Sequence, residues 1–448
     1  MKKWLKYFLF LLLAGIAILV YIYYPALNIV TGYSSKNMAS GIFVTERDQT
    51  SLMEYDNGFF PISLADYDVN IEEKSVTSSL FGLMKRKAIY YEGVGAVLVN
   101  KDEDALTSVI APIRVQQSLN MPYPYGKLQQ KDTLFEEVNY QYLESAVDNA
   151  FDKEGEQLKQ TRSVLVVYKD QIIAEKYEAG FDKESLMHGW SMTKSFTSTI
   201  YGLLQRQRGL DLTGTTGLEQ WKADERKDIT YQNLLEMNSG LEWEEAYFNI
   251  SDVTKMLYLA ADMGAMQIDK PLTGTPDESW NYSSGTSNLL SGPLLRAQFN
   301  SHQEYLDFWY TELLDKIGMH SAVVEVDQVG NYVGSSYAWA TTRDWAKFGL
   351  LYLHEGNWNG EQVLDSSFVK YVATPTNSSE GRYGAQFWLN AGAYFPDVPA
   401  DMYYCSGFKG QYVFIFPSQN LIVVRTGLTG DPTFNVNEFL KEIIASIS

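Results

Sequence analysis

The chain carries the stretch Gly189-Trp190-Ser191-Met192-Thr193-Lys194 at the start of a run with helical apolar spacing, which extends from Ser191 to Gln207 and ends before Gly209. Residues three apart share a helix face, so Lys194 is expected beside Ser191. A serine in the first helical turn lies near unpaired backbone N–H groups. A lysine serves as a general base only when it is neutral, and burial lowers its pKa toward that state. The stretch therefore predicts a nucleophilic Ser191 that is activated by Lys194.

The Ser-x-x-Lys pattern is weak on its own, because it occurs at three places, which start at Ser191, Ser367 and Ser406. Only the first follows a predicted strand hairpin and opens a long apolar helix. Ser367 stands in a polar segment, where a serine is expected to cap a helix. Ser406 stands in a glycine-containing turn. The context therefore selects Ser191.

A tyrosine that relays a proton is the second element expected of such a site. The loop from Trp280 to Asn288 is rich in small residues and leads into an apolar helix, so that the phenol of Tyr282 can protrude into a cleft. Tyr231, in a helix that Thr230 can cap, and Tyr247, in an acidic loop, are rivals. Since the chain has 31 tyrosines, each match alone is weak. The combination with Ser191 favours Tyr282.

The third element is the turn from Cys405 to Gln411, which stands directly before a predicted strand. Its glycines allow an edge strand to approach a substrate closely. A backbone N–H of this turn could pair with that of Ser191 to hold an oxyanion. The side chain of Lys409 is expected to face solvent, as most lysines do.

Alternating and apolar segments around these motifs predict an antiparallel sheet closed by distant parts of the chain, together with a helical insertion. The predicted strands are 41–44, 95–99, 163–168, 171–175, 411–416 and 421–425, and the predicted helices are 142–151, 191–207, 230–237, 342–354 and 435–447.

Five stretches together resemble the serine β-lactamase and penicillin-binding-protein superfamily, and within it the class C-like branch of esterases and 6-aminohexanoate-dimer hydrolases. The resemblance covers residues 163–448. The matching stretches are 189–194 (GWSMTK), 234–241 (LLEMNSGL), 281–285 (NYSSG), 339–349 (WATTRDWAKFG) and 406–411 (SGFKGQ).

The resemblance implies an α+β fold with a β-lactamase-like antiparallel sheet, flanking helices and an all-helical subdomain. It also implies that Ser191 is acylated, that Lys194 and Tyr282 form the base system, and that the N–H groups of Ser191 and Phe408 form the oxyanion hole. No cofactor or metal is expected. The candidate oxyanion or substrate-binding residues are Phe408, Gly410, Gln411 and Ser284.

Two departures from the family pattern bear on the substrate. Ser284 stands where β-lactamases have asparagine, and the turn Gly407-Phe408-Lys409-Gly410-Gln411 replaces the Lys-Thr-Gly triad that grips the β-lactam carboxylate. Both departures disfavour β-lactams and leave the nucleophile chemistry intact. We therefore expect a small-molecule ester or amide as the substrate.

Composition excludes several other classes. With 36 basic and 55 acidic residues the formal charge is −19, which argues against nucleic acid as a partner. The single cysteine, Cys405, excludes an internal disulfide. No two of the four histidines stand at metal-ligand spacing, which argues against zinc. The absence of a Gly-x-Ser-x-Gly elbow argues against an α/β-hydrolase.

The N-terminus predicts the location of the protein. Residues 5–27 are almost wholly apolar and long enough to cross a bilayer as a helix, and Lys2, Lys3 and Lys6 precede or begin this run. A cleaved signal peptide is the alternative interpretation. We expect a single-pass protein of the cell inner membrane, with its catalytic domain on the periplasmic or extracellular side.

These observations divide the chain into three parts. Residues 1–27 are the membrane anchor or signal peptide, residues 28–135 an N-terminal extension with short strands, and residues 136–448 a β-lactamase-like serine hydrolase domain. The expected function is hydrolysis through an acyl-enzyme on Ser191. The alternative is a catalytically silent binding or sensor domain on a membrane stalk.

Overall fold

The structure is a computed structural model that describes residues 2–100, 110–117, 119–130 and 133–447. Helices are α1 (Lys2–Phe43), α2 (Gln49–Ser51), α3 (Tyr140–Asn149), α4 (Thr193–Arg208), α5 (Tyr231–Leu235), α6 (Asp252–Leu259), α7 (Ala265–Ile268), α8 (Ser284–Leu289), α9 (His302–Trp309), α10 (Thr342–Leu353), α11 (Ser366–Val372) and α12 (Val436–Ala445). Strands are β1 (Asp66–Asn70), β2 (Ser75–Leu80), β3 (Leu83–Tyr91), β4 (Gly95–Leu98), β5 (Thr161–Tyr168), β6 (Gln171–Tyr177), β7 (Leu186–His188), β8 (Val323–Val324), β9 (Ala338–Thr341), β10 (Asn357–Trp358), β11 (Glu361–Gln362), β12 (Trp388–Leu389), β13 (Tyr403–Gly407), β14 (Gln411–Phe416) and β15 (Leu421–Gly427).

The main sheet has six strands in the order β12-β13-β14-β15-β5-β6, and all neighbours are antiparallel. Its centre pairs β15 with β5, with Leu421 opposite Tyr168 and Val424 opposite Leu165. The predicted α+β fold, with a sheet closed by distant segments, is therefore confirmed. Both strands are buried on their two faces, which explains why they appear in the sequence as continuous apolar runs.

Helices cover both faces of this sheet. One face packs against α3 and α12, which contribute Leu143 and Leu440 to a core that includes Val164. The other face packs against α10, where Gly349 lets the helix approach, since a Cβ there would lie 2.8 Å from Val413. The helices predicted over 142–151, 342–354 and 435–447 are these three, with bounds shifted by a few residues.

Helix α4 runs through the middle of the molecule, and its residues 193–204 are buried. It ends at Gly209, which adopts φ +68° and whose N–H donates to the carbonyl of Gln205. Glycine tolerates this left-handed conformation and closes the helix as the sequence predicts. Burial of this part of the helix places Lys194, in its first turn, in the protein interior.

Residues 2–100, called the N-terminal region below, form a second unit around α1. Residues 110–117 and 119–130 instead contact later parts of the chain, for example through the ion pair of Arg114 with Asp315. Strands β1 to β4 make an antiparallel sheet that packs on the second half of this helix. The strand predicted at 95–99 is confirmed as β4, whereas the strand predicted at 41–44 is wrong, because residues 41–43 end α1. Gly41 faces Leu52 in a buried contact, and a short apolar run of this kind suits a buried helix as well as a strand.

The predicted membrane span is wrong. Across the described residues, no helix combines the length and the apolarity that crossing a bilayer requires. Residues 5–27 do not stand alone; they form part of a 42-residue helix that continues to Phe43. Its second half carries buried polar side chains, among them Thr31, Ser35 and Lys36. Three linked predictions are therefore corrected: the single membrane-spanning helix, the inner membrane as a partner, and the location of the protein in that membrane.

A buried ion pair fastens α1 to the rest of the protein. The ammonium of Lys36 lies 2.6 Å from Oε2 of Glu325, whose side chain is fully buried. Glu325 also accepts hydrogen bonds from the backbone N–H of Ala96, at 2.7 Å, and from the indole of Trp339, at 2.8 Å. Its carboxylate therefore joins α1, β4 and β9. Burial lowers the pKa of Lys36, and the adjacent carboxylate opposes that shift.

We predict that Lys36→Met lowers the free energy of unfolding by about 3–5 kcal/mol, because it leaves the Glu325 carboxylate buried and unpaired. The measurement is urea unfolding followed by tryptophan fluorescence. Lys176→Met is the matched control: it removes an exposed pair with Asp148, and a change within about 0.5 kcal/mol is expected. Equal losses in the two variants would contradict the role of the buried pair.

Candidate active site

Ser191 lies in a single tight turn, Trp190–Met192, that leads into α4. The preceding residue, Trp190, adopts φ +46°, a conformation that costs energy for a residue with a side chain. Its ring is held in place by His188, at a centroid distance of 4.2 Å, and by Phe408, at 5.4 Å. Burial lowers the pKa of His188 to about 3, so that this ring is a neutral packing partner. The aromatic packing thus offsets the strain of this turn, which is called the nucleophile turn below after its candidate nucleophile, Ser191.

Lys194 is 1% exposed, and its Nζ has three oxygen partners. They are Oγ of Ser191 at 3.1 Å, Oγ of Ser284 at 2.9 Å and the carbonyl of Ser335 at 3.0 Å. Burial lowers the pKa of Lys194 to about 8, and the charge of Glu245 acts in the opposite direction. A substantial fraction of neutral amine therefore exists at mildly alkaline pH.

The hydrogen bonds around Lys194 aim its lone pair at Ser191. A neutral amine has two N–H donors, and the carbonyl of Ser335 can accept one of them. Oγ of Ser284 can accept the other, because its own proton is donated to the carboxylate of Glu245. The remaining lone pair then faces the hydroxyl of Ser191. This arrangement is what a general base needs.

Glu245 is a site residue that the sequence reasoning missed. Its carboxylate accepts from the backbone N–H of Ser284, at 2.9 Å, from the indole of Trp243, and from the phenol of Tyr247, at 3.2 Å. Glu245 stands in the acidic loop after Leu241, which also carries Tyr247. Two other acidic residues, Glu242 and Glu244, stand in the same loop, so the sequence offers no signal that singles Glu245 out.

Two tyrosines reach Ser191 rather than one. The hydroxyls of both Tyr282 and Tyr247 interact with Ser191. The ring of Tyr282 also lies beneath Lys194, with 4.8 Å between Nζ and the ring centroid. Burial raises the pKa of both phenols well above the ordinary value, so both are neutral proton donors. Among these groups Lys194 is the one whose pKa suits a base. Tyr231, the other rival, packs instead on Tyr201.

Strand β13 runs against the backbone of the nucleophile turn. A Cβ on Gly407 would lie 2.1 Å from the carbonyl oxygen of Gly189, so only glycine permits this approach. The next residue, Phe408, stacks on Tyr247 at a centroid distance of 4.8 Å. The backbone around Phe408 is thereby held beside Ser191, where the oxyanion hole was expected.

Gly410 and Gln411 bond the turn of residues 407–411 to the rest of the protein. The side-chain amide of Gln411 donates to the carbonyls of Phe408, at 3.1 Å, and Gly427, at 2.6 Å. Gly410 adopts φ +82°, and its carbonyl accepts from the buried guanidinium of Arg425 at 2.8 Å. In this structure the polar groups of both residues are bonded within the protein. Any effect of Gly410 and Gln411 on the substrate would therefore be indirect, because these residues fix the position of the turn.

Lys409 does not face solvent as expected. Its ammonium lies 3.8 Å from the ring centroid of Phe59, in the N-terminal region, which is a cation–π contact. Burial lowers the pKa of Lys409 to about 8. Ser367, the other serine with a Ser-x-x-Lys pattern outside this turn, is exposed on α11.

Comparisons with known proteins concern the family and the fold of the chain. A family model described as Beta-lactamase matches residues 147–435, which is more than half of the chain. No curated protein sequence matches the chain significantly.

Solved structures with the same fold include three of different description. A Bacillus anthracis protein described as a 6-aminohexanoate-dimer hydrolase is 21% identical, with a TM-score of 0.56, over 69% of this chain and 84% of that one. A family VIII carboxylesterase is 15% identical, with a TM-score of 0.53, over 70% and 98%. A penicillin-binding-protein homologue from Caulobacter crescentus is 14% identical, with a TM-score of 0.51, over 70% and 99%. The resemblance inferred from the five stretches is confirmed.

We predict that kcat/KM for an uncharged substrate rises tenfold per pH unit below about pH 8 and levels off above it. The sign follows from the pKa of Lys194, since only the neutral amine can accept the proton of Ser191. Initial rates between pH 6 and 10 measure this profile. A profile that is flat between pH 6 and 8 would rule out Lys194 as the base.

Glu245→Gln should move this acid limb to lower pH, because the carboxylate of Glu245 raises the pKa of Lys194. Glu244→Gln, which neutralises the adjacent exposed carboxylate, is the matched control and should leave the midpoint in place. A midpoint that rises in Glu245→Gln, or that shifts equally in both variants, contradicts the assigned interaction.

Proposed function

Because the chain belongs to the β-lactamase family, we propose that it is a serine hydrolase that forms an acyl-enzyme on Ser191 with an ester or a small amide. The observation that carries this proposal is the contact between Oγ of Ser191 and Nζ of Lys194, at 3.1 Å, in a site where burial lowers the pKa of the lysine. A buried amine with that pKa, aimed at a serine hydroxyl, suits nucleophilic catalysis.

The first half of the reaction uses these groups in order. Lys194 takes the proton from Ser191 as Oγ attacks the carbonyl carbon of the substrate. The N–H groups of Ser191 and Phe408 are proposed to hold the resulting oxyanion. When the tetrahedral intermediate collapses, the protonated Lys194 returns its proton to the leaving alkoxide or amine. Tyr282 or Tyr247 can relay that proton, because both phenols are protonated and interact with Ser191.

The second half reverses these roles with water. A water molecule attacks the acyl carbon, Lys194 accepts its proton, and the bond to Oγ of Ser191 breaks. The acid is released and the serine regains its hydrogen. Glu245 holds Ser284, and through it Lys194, in place during both halves. It is proposed as a positioning residue.

β-Lactams are proposed to be poor substrates. Ser284 replaces the asparagine of β-lactamases, and its hydroxyl is bonded to both Lys194 and Glu245. The cation within the turn that replaces the Lys-Thr-Gly triad is Lys409, and its ammonium lies over the ring of Phe59. A buried carboxylate without a partner is costly, so a β-lactam lacks the contact that its acid group requires.

We predict that Ser191→Ala lowers kcat/KM for p-nitrophenyl butyrate by about 10⁴–10⁶-fold while the far-UV circular dichroism spectrum stays unchanged. Ser367→Ala is the matched control, because it removes the exposed serine of another Ser-x-x-Lys pattern, and it should retain wild-type activity. Activity of Ser191→Ala within tenfold of wild type would refute the nucleophile. A wild-type protein that neither turns over esters nor reacts with a serine-directed fluorophosphonate would favour the silent binding domain.

We further predict that p-nitrophenyl butyrate is hydrolysed with a higher kcat/KM than nitrocefin by the same preparation. The reason is the missing partner for the β-lactam carboxylate. Hydrolysis of nitrocefin near the upper end of about 10⁴–10⁸ M⁻¹s⁻¹ would contradict the substrate argument and leave Ser191 as the nucleophile.

A further inference from the structure

A cavity of about 620 Å³ lies between the N-terminal region and the catalytic core. Two parts of the N-terminal region form one wall, namely the middle of α1 and the loop of residues 59–62. The opposite wall comes from the loop after Glu245, from α6 and from Phe408. The first wall includes Ala26, Tyr33 and Phe59, and the second includes Tyr247, Thr254 and Phe408.

The cavity adjoins the candidate active site. Tyr247 and Phe408 line it, and they stack on each other at a centroid distance of 4.8 Å. The hydroxyl of Tyr247 interacts with Ser191, and the ring of Phe408 packs against Trp190, the neighbour of Ser191. Open apolar space therefore adjoins the aromatic pair that contacts Ser191 and its neighbour Trp190.

The lining selects for hydrocarbon. None of the residues that line the cavity carries a charge. The hydroxyl of Thr254 is already used, since it donates to the carbonyl of Asn249 at 2.9 Å. Phe60 and Phe248 line the same space and are 78% and 81% exposed, which is costly for phenylalanine unless an apolar partner covers them. The volume lies within the range of about 300–1,000 Å³ that suits a small-molecule ligand.

We propose that this cavity holds an apolar chain of the substrate, so that the enzyme acts preferentially on esters or amides that carry a medium or long hydrocarbon group. This inference rests on the proposed function and names its substrate class. The wall formed by α1 and residues 59–62 lies outside the matched family region, residues 147–435. The N-terminal region therefore supplies a specificity determinant that the family core does not contain. The bonds made and broken at Ser191 stay as described above.

The length of the substrate's hydrocarbon chain is the variable that tests this proposal. Each methylene that enters the cavity should raise kcat/KM by about fourfold, provided that it is buried to the same degree in the transition state. The experiment measures kcat/KM for p-nitrophenyl acetate, butyrate, octanoate and dodecanoate. A parallel series of butyl, octyl and dodecyl acetates places the chain on the alcohol side. A rise with chain length in either series supports the proposal and shows on which side of the carbonyl the chain binds. A flat or falling dependence in both series overturns it.

A substitution that fills the cavity gives a sharper test. Ala26→Trp places a large ring in the wall formed by α1, and it should lower the octanoate-to-acetate ratio of kcat/KM at least tenfold. Leu13→Trp is the matched control: it puts the same ring on the same helix at a position that is 57% exposed and does not line the cavity. An unchanged ratio in a folded Ala26→Trp protein contradicts the proposal.

Direct binding separates this inference from the proposed function. In the Ser191→Ala protein, isothermal titration calorimetry should detect binding of octanoate and none of acetate, and the added Ala26→Trp change should weaken octanoate binding at least tenfold. Octanoate binding by an enzyme that hydrolyses no ester would leave the cavity assignment standing and refute the proposed function. Ester turnover by wild type, combined with absent octanoate binding and no chain-length preference, would refute the cavity assignment alone.

Discussion

The burial of Lys194 is the constraint on which this site depends. An ammonium 1% exposed to solvent loses most of its hydration, and that loss lowers its pKa to about 8. The structure compensates with three oxygen partners and one nearby carboxylate, Glu245. Fewer partners would leave a buried charge unpaired, whereas a carboxylate in direct contact would keep the lysine protonated. The carboxylate of Glu245 reaches Lys194 only through the hydroxyl of Ser284. It therefore stabilises the protonated lysine without abolishing the basicity of the neutral amine.

The N-terminal region packs against this site and helps to hold it in place. Its buried pair between Lys36 and Glu325 fixes α1 against the catalytic core. From that helix Tyr33 reaches the nucleophile turn, where its ring stacks on Trp190 at a centroid distance of 6.3 Å. The φ of +46° at Trp190 is thus maintained by packing from two parts of the chain. The same docking encloses the apolar cavity next to Ser191. Stability and the shape of the proposed substrate pocket therefore share one interface.

Features that depend on neighbouring residues could be predicted from the sequence. The hairpins β5–β6 and β14–β15 and the helix after Ser191 follow from local apolar periodicity, and Gly209 marks a helix end through its own conformation. The spacing of Ser191 and Lys194 predicts a contact, and the structure brings the two side chains within 3.1 Å. Each of these inferences required information from within one helix or one hairpin.

Features that depend on distant contacts could not be predicted in the same way. Glu245 stands among similar acidic residues, and only the approach of Ser284 distinguishes it. Lys409 was expected in solvent, but the ring of Phe59, 350 positions earlier, covers it. The apolar run at 5–27 suggested a membrane span, because composition does not show that the helix continues into a polar, buried half.

Trapping the acyl-enzyme would test whether Ser191 is the nucleophile. Wild-type protein would be mixed with p-nitrophenyl butyrate, quenched in acid during turnover, digested, and mapped by mass spectrometry. We expect a butyryl group on the peptide that contains Ser191, with the fragment ions placing it on that serine. A butyryl group on another residue, or a rapid burst of p-nitrophenol in the first turnover without any covalent adduct on Ser191, would contradict this assignment.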